Sequence, residues 1–344
     1  MKRPTALLGA AALLLGALTA CGPEDAAGSD GKGLRVVTTT EILADLVRQV
    51  GGDRVRVDSI VPPGGDPHSY EPTPRDAAKV AEADVTFTNH LLLEEHALIK
   101  TIDANAPEGS PNVSLAEAAE AYGAHVIPLV ENIALDKVPD NPAFAFLGPP
   151  GAAVHQLPQA VLGKHVHGEI DPHLWQDAEN AKAYVQLIRD TLARRDPGGA
   201  AAYAENARRY GEELDALDGY LSERIGRIPA ERRQLITTHD AFGYLAQAYG
   251  LKVAGFVVPN PAQEPSADDV QRLTTTIRNL KLPAVFTEPN LARRAAVLTQ
   301  VAEDQHVRVC TLYGDAFDAT VRHYTDMMRH NGDELLSCLG GGTS

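Results

Sequence analysis

One feature constrains this chain more than any other: the same order of strand and helix is written along it twice. Residues 34–39 (LRVVTT) read as a buried strand, and 41–50 as a helix stopping at Gly51-Gly52. Residues 234–238 (QLITT) and 240–249 repeat that plan and stop at Gly250. Each half then supplies a second strand, at 55–62 and 252–259. A helix start follows, at Glu71-Pro72-Thr73 and Glu264-Pro265-Ser266. Third strands are expected at 84–89 and 284–289, and fourth strands at 124–130 and 307–312. Thr73 and Ser266 are good helix caps, and Pro74 suits a first helical position. Strands alternating with helices predict parallel sheets flanked by helices. The expected fold is α/β, with two lobes that each hold a four-stranded parallel sheet.

Apolar residues at Ala181, Tyr184, Val185, Ile188 and Leu192 predict one long linking helix over 176–196. Asp196-Pro197-Gly198-Gly199 interrupts it, and a second helix is expected from about 200 to 227. A link without internal Gly or Pro acts as a strut rather than a hinge. The N-terminal lobe is then 34–175 and the C-terminal lobe 197–344. Residues 131–170 have no counterpart in the second half and are rich in Pro and Gly. Inserts of that length are usually functional or disordered.

The first residues read as an address. Lys2 and Arg3 precede an apolar run from Ala6 to Ala20, too short for the roughly 18 residues that span a bilayer. Residues 1–20 read as a secretory signal peptide. Leu18-Thr19-Ala20-Cys21 resembles a bacterial lipobox, in which Cys21 would carry the lipid. An ordinary leader with a chance cysteine is the alternative. Residues 21–33 then form a flexible tether. The expected protein is an exported monomer, held to a membrane only by its lipid. Its net charge of −15 becomes more acidic once the leader is removed, which argues against a nucleic-acid partner. Cys310 in a strand and Cys338 in the last helix lie in a disulfide-permissive compartment. A disulfide and two buried thiols both stay open.

Ligands of open α/β sheets bind beyond the carboxyl ends of the strands. His68 follows the second strand, in Asp66-Pro67-His68. His173 follows the fourth strand and the insert, in Asp171-Pro172-His173. His239 follows the first strand of the second half, and Asp315 the last strand. A lone histidine after a strand is ordinarily an exposed loop residue. Four metal-competent residues divided evenly between matching halves, with a repeated Asp-Pro-His, argue for convergence in the cleft. Three imidazoles and a carboxylate suit four-coordinate Zn²⁺. Glu288 also follows a strand, as an acceptor behind a ligating histidine or as a cap. His90 and His96 are expected at the surface, His125 in a structural role, and His306, His323 and His330 exposed. His155, His165 and His167 belong to the insert and could pass metal to the cleft.

With these residues in view, the chain resembles the metal-binding solute-binding proteins of bacterial ABC importers, the zinc and manganese branch called cluster A-I. The likeness covers the whole mature chain. It rests on the lipobox, Asp66-Pro67-His68-x-x-Glu71-Pro72, Asp171-Pro172-His173-x-Trp175, Thr238-His239-Asp240-Ala241-Phe242-x-Tyr244, Phe286-x-Glu288-Pro289 and Gly314-Asp315. The resemblance implies two lobes joined by one long helix, and ligands at His68, His173, His239 and Asp315. It also implies cargo delivery to a membrane permease, without catalysis. Manganese-type members usually carry a carboxylate at the third ligand position, so His239 favours zinc as the transported ion over manganese. The insert stands where zinc members carry a His-rich loop. A rival reading is a secreted zinc hydrolase, but there is no His-Glu-x-x-His and Glu288 is the one candidate base. An adhesin, a label sometimes given to the family, has no specific support in the residues.

Overall fold

A computed structural model describes residues 33–127 and 170–341. Cys21, the leader, most of the tether, and His155, His165 and His167 of the insert lie outside the described residues. In the first half, β1 (Leu34–Thr38), β2 (Val55–Ser59), β3 (Val85–Thr88) and β4 (Asn112–Ser114) form one parallel sheet in the order β2-β1-β3-β4. Val36 stands opposite both Val57 and Val85. Successive residues of β1 and β3 are buried, because helices cover both faces.

The second half repeats the order. β5 (Gln234–His239) pairs with β6 (Lys252–Val258), β7 (Ala284–Thr287) pairs with β8 (Arg308–Thr311), and β7 lies beside β5. The four strands divide into two hydrogen-bonded pairs. At the seam, Glu288 N–H donates to Thr238 Oγ1 at 3.2 Å and His239 N–H donates to Glu288 Oε1 at 3.2 Å.

The fourth strand of the first half is a correction. It is Asn112–Ser114, not 124–130; residues 124–127 are not a strand, and 128–130 lie outside the described residues. Side chains meet the backbone of 125–127 instead of a full ladder. Asn180 bonds both His125 N–H (2.9 Å) and His125 C=O (3.0 Å), and Tyr244 Oη accepts Ile127 N–H at 3.0 Å.

The helices of the first half are α1 (Glu41–Gly51), α2 (Pro74–Ala81), α3 (His96–Asn105) and α4 (Leu115–Ala119). Two more, α5 (Ala178–Arg195) and α6 (Ala200–Gly226), lie between the halves. Then come α7 (Gly243–Tyr249), α8 (Ala267–Leu280), α9 (Ala292–Asp304) and α10 (Tyr324–Leu339). Thr73 with Asp76 and Ser266 with Asp269 form complete capping boxes, so α2 and α8 start where the repeat predicts. The segment 176–196 forms α5, yet the longer link is α6, whose 27 residues extend about 40 Å. It packs against α1 of the first half and α10 of the second. Its buried stripe is Tyr203, Ala207, Tyr210, Leu214, Leu217, Leu221 and Ile225.

That stripe joins a continuous core. Val36, Leu46 and Phe87 of the first half belong to the same buried cluster as Tyr184, Leu217, Phe256, Phe286 and Leu335. A polar link reinforces it: buried Asp45 on α1 accepts from Tyr324 N–H at 2.8 Å and pairs with His323 Nδ1 at 2.9 Å, capping α10. His323, exposed as expected, nonetheless ties the halves together through Asp45. His330 stacks edge-on against Tyr313, ring centres 5.0 Å apart. A disulfide joins Cys310 on β8 to Cys338 on α10.

Candidate metal centre

His68, His173, His239 and Asp315 are buried and meet between the halves. One donor atom from each lies within 4.8 Å of every other. The three imidazoles form a near-equilateral triangle, with ring centres 5.4–5.6 Å apart. Their Nε2 atoms all face Asp315. His239 and His68 stand 3.0 and 3.2 Å from its Oδ2, and His173 stands 3.6 Å from its Oδ1. Among the described residues, the only other cluster of this kind contains the disulfide cysteines.

Two of the rings are held in the same way. Asp171 Oδ1 accepts the backbone N–H of His173 at 3.0 Å and lies 2.7 Å from its Nδ1. Glu288 Oε1 accepts the backbone N–H of His239 at 3.2 Å and lies 2.9 Å from its Nδ1. A carboxylate on Nδ1 fixes the proton there and turns the Nε2 lone pair toward the centre. The third ring differs. Asp66 Oδ1 accepts His68 N–H at 3.0 Å, but its Oδ2 is taken by the Ser69 hydroxyl at 2.6 Å. Asn260, reaching over from the loop after β6, meets His68 Nδ1 at 3.4 Å.

The ionisation states follow from this packing. Burial opposes charge on His173, but Asp315 and Asp171 outweigh it and raise its pKa. Burial opposes charge on His239 too, and Glu288 with Asp315 drives its pKa well above the ordinary value. Burial favours a protonated Asp315, yet His239 and His173 hold it well below the usual carboxylate range. The shifts on the two sides agree: protons and metal compete for the same nitrogens. Glu288 is raised by burial against the opposing pull of His239. Asp240 is pushed up to about 7 by burial and by Asp171.

Several supports carry weaker sequence signals. Asn89, just after β3, donates to Pro172 C=O at 2.9 Å and accepts from Tyr184 Oη at 2.7 Å. Tyr244 Oη donates to Asp171 C=O at 3.0 Å. Buried Glu94 accepts from Asn89 N–H (2.7 Å), His90 N–H (2.8 Å) and Thr39 Oγ1 (2.6 Å). It holds an unusual left-handed run, His90, Leu91 and Leu92, with φ of 71°, 56° and 62°. The Asp315 loop is fastened by Trp175 Nε1 and Gln176 Nε2, which donate to Gly314 C=O at 3.1 and 2.9 Å. Two glycines leave room for the orienting carboxylates. A methyl at Gly314 would collide with Glu288, and one at Gly243 would come within 2.8 Å of Asp171 Oδ2.

A two-lobed α/β chain with three buried imidazoles facing one buried carboxylate has the donor set of a metal-binding protein. Residues 36–338 match the family described as zinc-uptake complex component A, periplasmic, and the chain belongs to that family. The manganese-binding lipoprotein MntA of Halalkalibacterium halodurans is 32% identical over 93% of each chain. The metal ABC transporter substrate-binding lipoprotein FimA of Streptococcus parasanguinis is 30% identical over 98% of this chain and 99% of its own. Among solved structures, the periplasmic zinc-binding protein TroA of Treponema pallidum superposes with a TM-score of 0.72 at 28% identity. It covers 89% of this chain and 99% of its own. A Mn-bound periplasmic metal-binding protein of Candidatus Liberibacter asiaticus gives 0.68 at 25% identity, with the same coverage. The chain is an exported metal-binding substrate-binding component of an ABC transporter, and the hydrolase reading falls. No helix among the described residues is long and apolar enough to cross a membrane.

Proposed function

We propose that the chain captures Zn²⁺ between its halves with His68, His173, His239 and Asp315, and hands it to a membrane permease. The observation that carries this reading is the set of three Nε2 atoms facing one carboxylate at 3.0–3.6 Å. Around a tetrahedral zinc with bonds of about 2.0–2.1 Å, neighbouring donors stand roughly 3.3 Å apart. A nitrogen-rich donor set supports zinc, whereas manganese favours oxygen ligands and binds nitrogen sites more weakly. The manganese-named relative supports the second reading, a manganese carrier on the same ligands. Cys21 is the proposed anchor of a monomer, following a signal peptide over 1–20 and carrying a tether over 21–33. The proposed lobes are 34–175 and 197–344.

The test is competition between Zn²⁺ and Mn²⁺ at equal free concentrations, with bound metal counted by elemental analysis. Zinc is expected to occupy the protein, and manganese occupancy would overturn the assignment. His68→Ala, His173→Ala and His239→Ala should each weaken zinc binding strongly. A variant that binds as the parent does would strike that residue from the ligand set.

A further inference from the structure

The repeated Asp-Pro-His does not give the two histidines the same partner. In the second copy, Leu174 follows the histidine and Asp171 serves His173 Nδ1. In the first copy, Ser69 follows and takes the second oxygen of Asp66. His68 Nδ1 faces the amide of Asn260 at 3.4 Å instead. The orientation of that amide is set by its neighbour, because Asn260 Oδ1 accepts Ala262 N–H at 2.8 Å. The group facing His68 is therefore the NH₂ donor, and Asn260 is 2 % exposed.

A donor on Nδ1 makes that nitrogen an acceptor, so a neutral ring keeps its proton on Nε2, facing Asp315 Oδ2 at 3.2 Å. Metal needs the Nε2 lone pair, which sends the proton of a neutral imidazole to Nδ1. There it meets the Asn260 NH₂ head-on. Turning the amide over does not help, because its NH₂ would then oppose Ala262 N–H. Ligation by His68 costs a hydrogen bond between the halves, whereas ligation by His173 and His239 keeps theirs.

Building on the proposed ligand set, we infer that Asn260 is a positioning residue that makes His68 the labile ligand, the one through which metal enters and leaves. His173, His239 and Asp315 form the firm side of the centre. His68, from the first half, is the side that yields.

Asn260→Asp tests this. One carboxylate oxygen keeps the Ala262 bond and the other accepts a proton from His68 Nδ1. Zinc release into excess chelator, followed by stopped flow, is expected to slow tenfold or more, within the range for such supporting groups. In ¹⁵N-histidine NMR of the metal-free protein, His68 should shift from the Nε2–H tautomer to Nδ1–H. Asn290→Asp, in the lining of the same surface pocket as Asp66 and Pro261, adds the same charge without this contact and should not slow release. Unchanged or faster release in Asn260→Asp would overturn the inference, as would equal slowing in Asn290→Asp. So would a parent His68 already in the Nδ1–H form. If those fail while His68→Ala still abolishes binding, the ligand set stands and the role of Asn260 falls. Intact zinc binding in His68→Ala would remove both.

Discussion

Glu288 Oε1 receives both N–H groups of His239, the backbone one at 3.2 Å and the ring Nδ1 at 2.9 Å. One oxygen thus holds the last residue of β5 and sets which way its imidazole points. Glu288→Gln keeps the shape but removes the charge and offers a single carbonyl. Zinc affinity should fall about 10–100-fold. Calorimetric or chelator-competition titration measures this, and an unchanged affinity would show that Glu288 only fills space.

Gly314 sits against the same carboxylate, with no room for a Cβ. Gly314→Ala should push Glu288 aside and rotate His239, weakening zinc binding by about tenfold or more through an orienting partner. Secondary structure should stay intact by circular dichroism. Loss of folding instead of loss of affinity would contradict the expectation, because the collision is with one side chain.

The pH dependence has a definite sign. Metal binding needs neutral imidazoles. His239 lies well above the ordinary histidine value in the metal-free protein, and His173 is raised too. Protons therefore begin to displace zinc while the pH is still above the ordinary value of about 6.5. Asp315 is held well below the carboxylate range and stays ionised across that window. Metal-free stability runs the other way. The paired histidines stabilise the fold fully below about pH 6.5, and this is lost as pH rises through their raised folded-state values. Zinc titrations and metal-free melts over the same pH series should show opposite slopes, and an affinity flat down to about pH 6 would refute the raised values.

Leu92 is half exposed, with φ of 62°, in the left-handed run that Glu94 holds. That conformation costs an L-residue about 1–2 kcal/mol. Glycine adopts it freely, at an entropic cost of about 0.5–1 kcal/mol. Leu92→Gly should stabilise the protein by about 0.5–1 kcal/mol on balance, read from denaturant midpoints. Destabilisation would mean that Leu92 makes contacts beyond its exposed position.

Much of this architecture is legible in the chain because the repeat is local chemistry. Thr73 and Ser266 announce their helices, and His68, His173, His239 and Asp315 each follow a strand or a marked loop. The structure brings all four together. What stays hidden is tertiary. β4 lies at 112–114, where three residues carry little pattern, while the more apolar 124–127 is fastened by Asn180 and Tyr244. Asn260 follows its strand as plainly as any histidine, but only the Ala262 contact reveals which end of its amide faces His68. Gly243 and Gly314 read as ordinary loop glycines until the carboxylates beside them are seen.

The core that runs unbroken through α6 has a consequence for how the molecule falls apart. Although the chain repeats one plan, the larger hydrophobic cluster is shared by both copies, and only a small one, around Val37, Ile60, Val80 and Leu98, belongs to the first half alone. A fragment ending before α6 would strip the cluster that holds Leu46 and Tyr184 of the whole α6 stripe. Duplicated ancestry should then leave no trace in the melting curve of the metal-free protein: one cooperative transition rather than two, with calorimetric and van't Hoff enthalpies in agreement. Two resolved transitions would instead show that each copy of the plan still melts on its own.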